Sequence, residues 1–126
     1  MRGVFLVAAQ LSKLGFIVSP TSRSAAGADL LVTDQHCSRA FTVQVKTNAK
    51  PSRYFLVGKH SRKAVSGTHI YVLVNIRDAG AIDYYVIRSK IVAQKVKRFK
   101  RPQSIWWAID RQQIEVYRGK WAVLGR

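Results

Sequence analysis

Three residues of this 126-residue chain combine side-chain type and spacing in a way that can do chemistry: Asp29, Gln44 and Lys46. Gln44 and Lys46 stand two apart in a stretch where Phe41, Val43 and Val45 alternate with Thr42, Gln44 and Lys46. A period of two marks a strand and turns both polar residues to one face. Asp29 opens a second apolar run over residues 28–34, and the short polar connector 35–39 favours an antiparallel hairpin. Such a hairpin brings Asp29 to the end that carries Gln44 and Lys46. One carboxylate, one amide carbonyl and one ammonium then converge. Oxygen ligands suit Mg²⁺, which activates water and screens a phosphodiester, while a lysine supports the nucleophile or the developing charge. Each residue alone has an ordinary reading. Asp29 could begin a strand or pair with an arginine, and Gln44 and Lys46 could be the solvated side of a half-exposed strand. The three together favour chemistry, and an aspartate beside Leu30-Leu31-Val32 needs a partner or a metal.

The elements that must position these residues are legible from their periods. Residues 3–14 read as an amphipathic helix, with Val4, Val7, Ala8, Leu11 and Leu14 on one side and Gln10 and Lys13 on the other. Gly15 sits where a left-handed cap belongs, and residues 16–18 form a short strand before Pro20. The small polar segment 21–27 is a loop. After the hairpin come a basic loop at 48–53, a strand at 54–57, and a short helix or basic loop at 59–66. Residues 69–76 are apolar enough for a central strand, joined through 77–81 to a strand at 83–87. Residues 89–100 read as a helix capped by Ser89 and closed by Pro102. Residues 105–109 read as an edge strand, and 111 onward as a short helix or irregular tail. The pattern implies an α/β fold: a single small domain over residues 1–126, with a central mixed β-sheet flanked by helices.

Charge narrows the partners. Lys and Arg number 22 against 6 acids, a formal charge of +16, yet 48% of residues are hydrophobic. That excludes a disordered basic tail and leaves a folded domain with the electrostatic footprint of a nucleic-acid binder. Cys37 is the lone cysteine, so an internal disulfide and a cysteine-based zinc cluster are excluded, and a reducing cytoplasm is expected. His36, His60 and His69 show no ligand spacing. No apolar run reaches the ~20 residues that span a bilayer, so no membrane partner is expected. The apolar start at residues 4–9 runs on as a helix through Gln10, Ser12 and Lys13 rather than reading as a leader.

Asp29, an interval of about fifteen residues, then Gln44-Val45-Lys46 resembles the motif of the PD-(D/E)xK, restriction-endonuclease-like nucleases, in the variant with glutamine for the usual glutamate. The preceding helix, Gly15, the short strand and Thr21-Ser22-Arg23 resemble the archaeal Holliday-junction resolvase branch, over residues 3–48. The resemblance implies a metal-dependent endonuclease that hydrolyses phosphodiesters in branched or double-stranded DNA, using Mg²⁺ or Mn²⁺ and no small-molecule cofactor. It implies Asp29 as main metal ligand, Gln44 in the second ligand position, the Val45 carbonyl as a further ligand, and Lys46 as catalytic lysine. The acid that relatives often carry on the first helix falls near Val4, and Gln10 nearby is neutral too. With one charged ligand the site holds a cation less strongly. The alternative is therefore a catalytically weak or inactive nucleic-acid-binding module with the same fold; an RNA- or ribosome-associated protein has only charge behind it.

Further nucleic-acid contacts are expected from Ser22, Arg23 and Ser24 before the motif and from Thr47, Asn48 and Lys50 after it. Lys59, Arg62 and Lys63 with His60 form a basic patch, and Lys97 and Arg98 lie within the densest positive run, residues 95–101. For each, a solvated surface is the competing view. Trp106, Trp107 and Trp121 could stack on bases, fill a core or join subunits. Resolvase-type cutting requires a homodimer, with residues 70–76 or the tryptophan-rich end as the apolar contact.

Overall fold

The computed structural model describes residues 2–22, 27–63 and 66–125. Helix α1 (Arg2–Lys13) buries Gly3, Val4, Val7 and Leu11, the three- and four-residue spacing of one stripe. It ends as the glycine placement requires. Gly15 takes φ 93°, and the Phe16 N–H returns to the Leu11 carbonyl at 3.1 Å while both side chains enter the core. That reversal feeds β1 (Ile17–Pro20). The chain continues through β2 (Leu30–Thr33), β3 (Ala40–Asn48), β4 (Tyr54–Leu56), β5 (His69–Ile76) and β6 (Ile82–Arg88). It closes with α2 (Ser89–Lys95), β7 (Lys97–Arg101) and β8 (Ser104–Asp110), followed by short 3₁₀ turns.

A five-stranded sheet runs in the order β1-β2-β3-β5-β6, and a three-stranded sheet in the order β4-β8-β7. In the larger sheet β3 and β5 are parallel and every other neighbour is antiparallel, so the sheet is mixed. Alternation sorts the side chains. Val43 and Val45 of β3, with Ile70, Val72 and Val74 of β5, face α1 and close one core. Tyr71 and Leu73 face the other way, into a second core with Phe55, Tyr85, Ile87 and Ile109. Strand β5 is buried at all its positions because both faces are covered, as an interior strand beside a parallel neighbour should be.

Four expectations need correction. The helix over 89–100 stops at Lys95: Val96 is extended, and 97–101 pair with β8 instead. Pro102 ends the segment by turning a hairpin, and it disfavours helical backbone at the residue before it. The cap position is held by Arg88, which makes no side-chain capping bond, and not by Ser89. Strand β8 is central, because β4 flanks it on one side and β7 on the other. Finally, residues 70–76 offer no exposed contact to a second copy, since β5 lies buried between β3 and β6.

Candidate functional site

Asp29 stands one residue before β2, and four hydrogen bonds fix the segment around it. The Thr21 N–H donates to the Asp29 carbonyl at 3.0 Å, and the Thr21 hydroxyl donates to the Ala28 carbonyl at 2.6 Å. The Asp29 N–H donates to the Val43 carbonyl at 2.8 Å, and the Asp29 Oδ2 accepts the Val45 N–H at 2.7 Å. The carboxylate thus stands beside β3 where the β2 main chain no longer pairs. At the far end of the hairpin the Asp34 carboxylate accepts the Ser38 N–H at 2.8 Å and the Ser38 hydroxyl. These bonds hold Asp34 below the usual aspartate range, the hydroxyl bond contributing most.

On β3 the face opposite α1 carries Thr42, Gln44 and Lys46, in register with His69, Tyr71 and Leu73 of β5. Gln44 and Lys46 are half-buried and line a cavity of about 330 Å³ with Gly27, Val57, His60 and Tyr71. Asp29 is tied to the same strand by its hydrogen bond to Val45, the residue between the two. Tyr71 is buried, which raises its phenol above the ordinary tyrosine range and keeps it a neutral donor. His69 is buried too, and burial pushes its imidazole below the ordinary histidine range while its Nδ1 lies 2.6 Å from the Thr42 hydroxyl. The ring is therefore a structural neighbour of the polar face and neutral at neutral pH.

The donor set fits a hard, oxygen-liganded cation held by one charge. Val45 directs its N–H toward Asp29, and in a strand its carbonyl opens to the same side, past the start of β2. The Gln44 amide lines the adjoining cavity. Among the described residues no three or more His, Cys, Asp or Glu side chains group as metal ligands. Val4, at the place of the helix acid, packs into the core, so α1 supplies no charge there.

The remaining candidates scatter. Ser22 is exposed at the end of the described loop segment, whereas Arg23 and Ser24 lie outside the described residues. Thr47 lies on the α1 side of β3, against Gly3, so close that a Cβ on Gly3 would meet its hydroxyl. It therefore faces away from Gln44 and Lys46. The Asn48 amide donates to the Tyr54 carbonyl at 3.0 Å, and Lys50 is exposed in the loop beyond. Lys59 and Arg62 sit in a 3₁₀ turn (Lys59–Arg62) that follows Gly58 at φ 82°, with Lys63 exposed just after it. Lys97 and Arg98 are exposed on β7, not on a helix. His60 and Tyr71 were not singled out from the sequence as partners of Gln44 and Lys46. Only the parallel β3–β5 register and the turn after Gly58 bring them to the same cavity, and neither leaves a local signal.

No protein-family model matches the chain, and no curated protein matches it. Solved structures do match. Hjc of Archaeoglobus fulgidus, a Holliday junction resolvase from an archaeal hyperthermophile, superposes with a TM-score of 0.60 at 14% identity, over 99% of this chain and 94% of that one. A bacterial homing endonuclease, I-Ssp6803I, does so with a TM-score of 0.59 at 16% identity, over 96% and 84%. Identities this low speak for architecture, and the architecture is the one the resemblance implied: the chain has the restriction-endonuclease-like nuclease fold.

Proposed function

We propose that the chain is a metal-dependent endodeoxyribonuclease, with Asp29, Gln44 and Lys46 as its centre. The observation that carries this reading is the Asp29 carboxylate on the Val45 N–H, between two polar side chains that open on one cavity. Asp29, the Gln44 amide oxygen and the Val45 carbonyl are the groups that would hold Mg²⁺ or Mn²⁺, whose chemistry when bound is to activate water and screen a phosphodiester. Thr21 and Val45 orient Asp29. Lys46 presents its ammonium from the same strand face as Gln44, where a developing negative charge on a phosphate needs a cation. The formal charge of +16 supplies long-range attraction for DNA. Branched or double-stranded DNA is the proposed substrate, and resolvase-type paired cuts would come from a homodimer.

A second reading has its own observation. With Gln44 neutral and Val4 buried where an acid would stand, Asp29 is the lone carboxylate at the site. In that reading the fold holds DNA and does not cut it. The experiment incubates pure protein with supercoiled plasmid and a four-way junction in Mg²⁺, Mn²⁺ or EDTA, beside Asp29→Ala. Metal-dependent cutting that disappears in the variant supports the nuclease. Salt-sensitive binding without cutting, indifferent to every divalent ion, supports the second reading.

A further inference from the structure

The outer face of the β4-β8-β7 sheet is aromatic, exposed and ringed by cations. Tyr54, Leu56 and Trp106 on this face are large apolar residues with a third or more of their surface open, Trp106 at 44%, and Ile105, turned to the other side of β8, is open at the end of the sheet. Trp106 stands between two depressions. One, of about 510 Å³, is walled by Leu56, Trp107, Lys59 and Arg62; the other, of about 270 Å³, by Tyr54, Phe99 and Arg101. The guanidinium of Arg101 lies 5.0 Å from the centre of the Trp106 ring, and that of Arg62 lies 5.2 Å from the centre of the Trp107 ring. The larger depression meets the Gln44–Lys46 cavity at Gly58, which lines both.

We infer that this face is a stacking platform for unpaired bases of DNA, seated beside the proposed cutting centre. An indole offers a π-face that any base can cover, and an arginine over or beside it offers the phosphate a cation. A base inside an intact duplex has both faces covered by its neighbours, so only unpaired or extruded nucleotides can use the platform. Charge chooses between DNA and a second copy of this chain as the occupant. A symmetric partner would set Lys59, Arg62 and Arg101 against their own like, on a chain of net charge +16, whereas a polyanion neutralises them. The inference rests on the DNA-binding reading above and names the DNA feature that it selects.

The test measures binding in EDTA, where cutting plays no part. The probes are a labelled paired duplex, the same duplex with a bulge of unpaired thymidines, and one whose bulge is made of abasic sites. The thymidine bulge should bind more tightly than the other two and quench tryptophan emission. Trp106→Ala should weaken that complex alone by about tenfold, and Trp106→Phe should keep most of the affinity. Because Trp106 lies outside both cores, its removal should leave thermal melting near wild type. Equal affinity for thymidine and abasic bulges overturns the inference, as does an equal loss on all three probes. A dimer that Trp106→Ala converts to a monomer also overturns it, because the face would then join two copies. Bulge preference without any metal-dependent cutting would sink the nuclease and support the platform. Cutting without bulge preference would do the reverse.

Discussion

The two sheets use the same residue types to opposite ends. In the five-stranded sheet the valines of β3 and the apolar positions of β5 are closed over, and Gln44, Lys46 and His69 sit half-buried or buried on one side. In the three-stranded sheet Leu56, Ile105 and Trp106 stay open to solvent, and the charge around them is all basic on β7. A rigid, doubly covered sheet can hold a carboxylate, an amide and an ammonium in fixed relation. A sheet covered on one face offers area and charge. On the proposed function the difference between them is that between cutting and holding, and it can be tested variant by variant.

The largest effect should come from the proposed centre. Asp29→Ala is expected to lower the rate of metal-dependent cutting by about 10³-fold or more, measured under single-turnover conditions, with little loss of DNA affinity. Lys46→Ala should follow, with a loss of about 10²–10³-fold, because it removes a cation from the developing charge and leaves the strand intact. A parallel loss of binding in either variant would erase the distinction between the two sheets.

Stability should divide the same way. Leu73→Ala, in the fully buried strand beside Lys46, is expected to cost about 2–5 kcal/mol in denaturant unfolding. Leu56→Ala, on the open sheet and 54% exposed, should cost about 0.5 kcal/mol or less. Gly3→Ala belongs with the former. The added methyl would strike Thr47 where α1 crosses β3, at an expected cost of about 1–3 kcal/mol.

The smallest effect is a pH dependence. Burial holds His69 below the ordinary histidine value, so the unfolded chain binds the proton more readily than the folded one. Stability from this group is whole above the unfolded value of about 6.5 and is lost as pH falls through the folded value. Melting temperature should therefore decline from pH 7 toward pH 5, and His69→Gln should flatten that decline.

Much of this was legible from local pattern. The period of two over 41–46, the helix stripe of Val4, Val7 and Leu11, and Gly15 as a cap all state their geometry within a few residues. The hairpin followed from its short connector, and with it the approach of Asp29 to Val45. What failed was non-local. Lys97–Arg101 carries no strand pattern of its own, and becomes β7 only because β8 is there to pair with it. Strand β8 looked like an edge because its second neighbour, β4, lies about fifty residues earlier in the chain. His60 and Tyr71 reach the cavity through the same kind of long-range pairing.

The decisive substitution is Asp29→Asn, since an asparagine can still accept the Val45 N–H while losing the charge. Binding of a four-way junction would be measured in Ca²⁺ and its cutting in Mn²⁺, for wild type and variant side by side. If Asp29 is the carboxylate that holds the metal, wild type cuts in Mn²⁺ and not in EDTA, and the variant binds the junction but does not cut it. Cutting that survives the substitution undiminished would contradict that role.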